Sequence, residues 1–93
     1  MKIEDLETIV CDHMDVDKME VLTKKNKRKL STTRRLIWYF GYSELGIPSF
    51  DIEKRYGRTK RDVMFAINNT RKARNTDTVK ELRAEVLRAK ALV

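Results

Sequence analysis

Residues 49–70, SFDIEKRYGRTKRDVMFAINNT, read as a short helix, a tight glycine turn and a second helix. Ser49 is placed to cap the first helix. Gly57 is placed to end it, because glycine takes the left-handed conformation at a helix C-terminus without steric cost. Thr59 then caps the second helix, with Asp62 three residues on able to answer it as a short capping box. Two helices joined by a tight, glycine-containing turn make a helix-turn-helix, expected here over about residues 49–72. In that motif the first residues of the second helix reach base edges in the DNA major groove. Arg58, Lys60 and Arg61 stand at that end. Their charge opposes the helix dipole, so local stability does not account for them, whereas phosphate and guanine contacts do. The alternative is an ordinary helical hairpin with a solvated basic end.

Composition narrows the class of protein. Ninety-three residues suit one domain with a single core, too small for a second domain or a roomy enzyme cleft. A net charge of +7 favours a polyanionic partner. With 41 % hydrophobic residues and clear periodicity the chain is expected to fold. A single cysteine, Cys11, excludes an intramolecular disulfide and fits a reducing cytoplasm. No apolar run approaches the roughly 20 residues that cross a bilayer, and the acidic, amphipathic start MKIEDLETIV is unlike a signal peptide. Met1, just ahead of the first helix, suggests a natural start, with a fragment of a longer protein as the alternative.

The charges are segregated. Residues 1–23 carry Glu4, Asp5, Glu7, Asp12, Asp15, Asp17 and Glu20 against Lys2 and Lys18. Residues 24–35 carry Lys24, Lys25, Lys27, Arg28, Lys29, Arg34 and Arg35 with no acid. A second basic segment, 54–74, contains Asp62 as its one acid. The two basic segments make one face if the fold brings them together, with the acidic first helix turned away.

Helical periodicity runs through the chain, and no strand, repeat or linker emerges. Ile3, Leu6, Val10 and Met14 predict a helix over 2–14. A short helical turn over 17–22 is expected to bring Met19 and Leu22 to the core, followed by a basic loop, 24–29. Ser31 or Thr32 is expected to cap a central helix running to about Leu45, stopped by Gly46 and Pro48. Its middle, Leu36-Ile37-Trp38-Tyr39-Phe40, is apolar on most sides, as in a helix around which others pack. Ile52, Tyr56, Val63, Ala66 and Ile67 are expected to face inward. Val79, Leu82 and Val86 mark a last helix from about Thr78. The fold class is all-α, a compact domain of five to six helices.

Residues suited to catalysis are sparse. His13, Cys11 and Asp12 are near neighbours on one helix, where they point in different directions and cannot converge on one ion. No second cysteine or histidine completes a zinc site, and Gly41, Gly46 and Gly57 are isolated rather than grouped in a phosphate loop. The chain reads as a non-enzyme with no metal or cofactor. The aromatic run at 38–40 suits a core better than a stacking platform for single-stranded bases. Residues 24–29, leading into Thr32, Thr33, Arg34 and Arg35, read as a DNA-backbone site, since hydroxyls, guanidiniums and free backbone N–H groups at a helix start bind anions. A solvated charge run is the alternative there.

With these landmarks in order, the chain from Ile3 to about Leu82 resembles the C-terminal DNA-binding domain of the bacterial replication initiator DnaA. IEDLETIV is similar to that family's opening helix. KKNKRKLSTTRRLIWYF looks like its basic loop and the arginine-led helix that usually reads RQxAMYL. GIPSFDIEKRYG stands for its first helix-turn-helix helix and turn, and GRTKRDVMFAI falls where the signature GGRDHTTVLHA does. Arg58, Val63 and Ala66 match that signature. The family reads its DNA box mainly through an Asp-His-Thr triplet, where this chain has Thr59, Lys60 and Arg61, and its turn is one glycine shorter. The family also places an arginine in the minor groove from a position held here by Thr32 or Thr33, while Arg34 matches a nearby family arginine. The resemblance therefore implies the docking mode, with altered base preference, and the initiator's ATPase domain is absent from this chain.

Together these readings predict a sequence-specific binder of double-stranded DNA, a stand-alone regulator of replication or transcription, cytoplasmic and nucleoid-associated, with no membrane partner. Arg58, Thr59, Lys60 and Arg61 are assigned to the major groove. Lys24, Lys25, Lys27, Arg28, Thr32, Thr33, Arg34, Arg35 and Ser49 are assigned to the backbone or minor groove. The isolated chain is expected to be a monomer that also meets a replication or transcription protein. The rival readings are a protein-interaction adaptor with a basic face and a binder of structured RNA.

Overall fold

The most hydrophobic stretch of the chain becomes its axis. In the computed structural model, which describes residues 1–92, the helix α3 (Arg28–Ser43) buries Leu30, Leu36, Ile37, Trp38, Tyr39 and Phe40. A helix apolar around most of its circumference must be covered on most sides. α1 (Ile3–Met14) and α5 (Lys60–Lys72) lie against it, and α2 (Lys18–Val21) and α6 (Asp77–Ala91) cover what remains. α4 (Ser49–Tyr56) packs on α5. The expected inward faces hold: Leu6 and Val10 of α1, Ile52 and Tyr56 of α4, Val63, Ala66 and Ile67 of α5, and Val79, Leu82 and Val86 of α6 are all buried. The molecule is all-α, 31 × 25 × 25 Å, and none of its helices is long and apolar enough to cross a membrane among the described residues.

Two helix starts and the inward face of α2 differ from expectation, each for a local reason. α3 begins at Arg28 with Lys27 at the cap position, not at Ser31 or Thr32. Burial of Leu30 draws an extra turn into the helix. The hydroxyls meant for capping bond backwards instead, Thr32 Oγ1 donating to Arg28 O (3.1 Å) and Thr33 Oγ1 to Lys29 O (2.8 Å). Ser49 does not cap α4. Pro48 occupies the cap position, its carbonyl accepting from the N–H groups of Asp51 and Ile52, and Ser49 is already inside the first turn. In α2, Asp17 caps by accepting from the Met19 N–H at 2.9 Å. That register turns Val21 into the core, leaves Leu22 half-buried and leaves Met19 70 % exposed, reversing the expectation for Met19.

The expectation that the acidic first helix turns away from the basic segments fails at one point, where Glu7 meets Arg55 of the 54–74 segment. Glu7 is fully buried and accepts two hydrogen bonds from Arg55, from Nε (2.8 Å) and Nη2 (2.6 Å), and a third from the Tyr56 hydroxyl. This cluster ties α1 to the end of α4. Tyr56 in turn meets Trp38 edge-on, ring centroids 5.5 Å apart, so the same cluster fixes the indole of the central helix. At the other end of α1, His13 Nδ1 lies 2.8 Å from Glu85 Oε2 and Nε2 lies 3.4 Å from Glu81, linking α1 to α6.

Cys11 is buried in the core, and burial followed by the nearby Glu7 and Asp12 charges pushes its thiol from 9.0 up to about 11. A protonated, inaccessible thiol is a poor nucleophile. Iodoacetamide at about pH 8 should therefore leave native Cys11 unmodified and label it in step with denaturant unfolding. Because the folded state holds this proton longer than the unfolded chain, stability should fall as pH rises from 9.0 towards about 11. Rapid labelling of the native protein would overturn the placement.

Candidate nucleic-acid interface

α4 ends at Gly57, in the left-handed conformation (φ 62°, ψ 41°), and the Arg58 N–H returns to Glu53 O at 3.0 Å. The chain then extends at Thr59, whose hydroxyl accepts from the Asp62 N–H at 3.2 Å to open α5. Of the expected capping box, the bond from the Asp62 N–H to Thr59 is the half that forms. Thr59, Lys60 and Arg61 are exposed and Arg58 is half-buried.

The outward face of α5 follows from its inward one. With Val63, Ala66, Ile67 and Thr70 buried, residues about 180° round the helix at roughly 100° per residue are Arg61, Phe65, Asn68 and Lys72, all exposed. Phe65, 64 % exposed, is the surprise, since an aromatic side chain invites assignment to the core. Its position was available in the spacing: two residues beyond Val63 is nearly the opposite side of a helix.

The basic segment of residues 24–35 divides into two sets. Lys24, Lys25, Lys27, Arg28, Thr32 and Arg35 are exposed. Thr33 and Arg34 are not available to a nucleic acid, contrary to their sequence assignment. Thr33 is fully buried with its hydroxyl engaged in the helix. Arg34 is 2 % exposed, and its guanidinium donates to Val21 O (2.8 Å), Thr23 O (2.8 Å) and Glu20 O (3.4 Å), capping the end of α2. Burial, and then the nearby Arg58, hold the Arg34 guanidinium below its ordinary value. The free N–H groups expected at Thr32 and Thr33 lie a turn earlier, because α3 starts at Arg28. Thr32 is exposed but its hydroxyl is spent on Arg28 O. Ser49, half-buried, sits in the first turn of α4.

The fold brings the two basic segments together. Lys24 Cε lies 4.0 Å from where a Cβ on Gly57 would stand, so the loop before α3 abuts the α4–α5 turn. Beside it a cavity of about 240 Å³ is walled by Arg34, Arg35 and Trp38 of α3 and by Arg58, Asp62 and Phe65. The ion pairs among the described residues involve His13 and Arg55 as their cations, and no residue of 24–35 or 58–61 enters one. This side of the molecule is therefore a concentration of unneutralised positive charge. No protein-family model matches the chain, and no curated protein is significantly similar to it.

Proposed function

We propose that this chain binds double-stranded DNA, laying the outer face of α5 in the major groove while the loop before α3 holds the adjacent backbone. The observation that carries the reading is the joining of two basic segments, distant in sequence, into one surface whose cations enter no ion pair. Cations left unpaired on a folded protein are repaid by a polyanion, and DNA phosphates supply one. The resemblance to the DnaA C-terminal domain supports the same docking mode, with α4 and α5 as the helix-turn-helix. In this reading Lys60 and Arg61 reach base edges, Arg58 lies at the groove wall, and Thr59 serves as the cap that aims them. Lys24, Lys25, Lys27, Arg28 and Arg35 contact phosphates. The protein acts as a regulator of replication or transcription at the nucleoid.

Phe65 gives the readout an apolar element, since a phenyl ring in the major groove favours the methyl group of thymine. Phe65→Ala should weaken sites carrying thymine at one position and leave the same site with cytosine there almost unchanged. Arg61→Ala should cost about 1–3 kcal/mol on the preferred site and relax one base position. Lys27→Ala should weaken all sequences alike. Selection of bound duplexes from a random pool at roughly 150 mM salt tests the reading, because that salt suppresses counterion-driven background. Enrichment of a motif supports it; a pool that stays random overturns sequence-specific recognition.

A further inference from the structure

The cavity between α3 and α5 has a composition that the docking reading does not require. Three arginines, Arg34, Arg35 and Arg58, line it against the single acid Asp62, with the Arg34 guanidinium already engaged by the α2 carbonyls. Trp38, 5 % exposed, forms part of its wall, and the Trp38 Nε1 has no hydrogen-bond partner in the chain. The Arg58 Nε, equally buried, has none either. Buried donors are almost always satisfied, so two orphaned N–H groups at one cavity call for an acceptor from outside. An indole N–H can only donate, and a guanidinium has no acceptor. The missing partner must therefore accept hydrogen bonds, and with three arginines lining the cavity against one carboxylate an anion fits best.

We infer that this cavity is a phosphate-binding site, in which one tetrahedral phosphate group accepts from Trp38 Nε1 and Arg58 Nε and is neutralised by Arg58 and Arg35. The indole and one guanidinium are held in place, while neither orphaned N–H has exposed surface in the unbound chain, so a small side-chain movement must admit the anion. Tyr56 holds the indole edge-on, and Arg34 is fixed by three carbonyls of the α2 segment. Burial is the main reason the Arg34 pKa is lowered, and the smaller contribution from Arg58 is like-charge crowding that an anion would relieve. The phosphate comes either from the DNA backbone, beside the α5 face, or from a small molecule ending in phosphate. The first source rests on the DNA-binding reading; the second does not.

Trp38 is the single tryptophan of the chain, so its emission reports the cavity directly. Inorganic phosphate should produce a saturable change in wild-type emission that sodium chloride of equal ionic strength does not. Arg58→Gln should move the midpoint upward about tenfold, as expected for loss of a charge-assisted hydrogen bond, and Arg35→Gln, an exposed position, should weaken the response without risk to folding. A second arm follows a labelled random-sequence duplex by anisotropy and Trp38 emission together. If the duplex binds, changes Trp38 emission and is displaced by phosphate, the site takes the backbone. Trp38→Phe should then weaken duplex binding about fivefold while circular dichroism stays native. If phosphate changes the emission but the duplex does not bind even at roughly 50 mM salt, where sequence-independent attraction to the backbone is strong, the site stands as a small-anion site and the DNA reading fails. If the duplex binds and neither it nor phosphate changes Trp38 emission, the site is overturned and the DNA reading survives.

Discussion

Glu7→Ala should destabilise the fold by about 3–5 kcal/mol, because it strands a partly buried guanidinium and a buried phenol that share a single acceptor. Arg55 donates to Glu7 through Nε and Nη2, and the Tyr56 hydroxyl donates to the same carboxylate. Glu7 has no exposed surface through which water could stand in after the mutation, and Tyr56 is 4 % exposed. The hydrogen bond to Glu7 raises the Arg55 pKa above its already high ordinary value, and burial followed by that carboxylate raises the Tyr56 pKa. A small domain has roughly 5–15 kcal/mol of total stability, so the loss would move the urea midpoint far to the left. Glu4, the other acid near Arg55, is 3.8 Å from its Nη1 and more exposed, and Glu4→Ala should change stability by less than about 1 kcal/mol. Equal effects of the two substitutions would show that the buried cluster contributes no more than a surface pair. Glu7 itself lies on none of the surface assigned to DNA, so any loss of duplex affinity in the folded fraction of Glu7→Ala would act through Tyr56 and the Trp38 indole it meets.

Duplex affinity should fall about a thousandfold between roughly 50 and 200 mM salt, a slope near −5 in log affinity against log salt, if about six phosphates are neutralised. The six cations offered are Lys24, Lys25, Lys27, Arg28, Arg35 and Arg58, none of which enters an ion pair. Their freedom matters, since a cation already paired with a carboxylate releases fewer counterions on meeting a phosphate. Removing one, as in Lys27→Gln, should shallow the slope by about 1 on every sequence. Arg34→Gln makes the useful contrast. It should lower stability by stripping donors from Val21, Thr23 and Glu20 carbonyls, yet leave the salt slope of the folded protein close to wild type. A wild-type slope near −1 would remove the basic surface from the binding account.

The helix starts show where reading along the chain loses its grip. A hydroxyl run such as Ser31-Thr32-Thr33 satisfies itself equally well as a cap or by bonding to the carbonyl four residues back. Burial of Leu30 chose the second, and with it moved the free N–H groups of α3 to Arg28 and its neighbours. Arg34 and Arg35 look interchangeable in sequence. Arg34 lies on the stripe of Leu30, Ile37 and Trp38 and caps α2, while Arg35 stands about 100° further round and stays exposed, a difference in spacing that the shared charge conceals. Phe65 is the reverse case: it has no place in the sequence reading, although its outer-face position follows from the inward positions of Val63 and Ala66.

The amino-acid sequence alone determined the all-α class, the inward faces of α1, α4, α5 and α6, the central place of α3, and the Gly57–Thr59 turn. All of these rest on spacing of a few residues, where helix geometry converts position into direction. The tertiary structure alone decided the buried Glu7–Arg55–Tyr56 cluster, the burial of Thr33, the capture of Arg34 by the α2 carbonyls, and the cavity at Trp38. Each of those depends on groups far apart in the chain, Glu7 and Arg55 by 48 residues. A polar side chain is buried only where a partner arrives to satisfy it, and that arrival is a property of the folded chain.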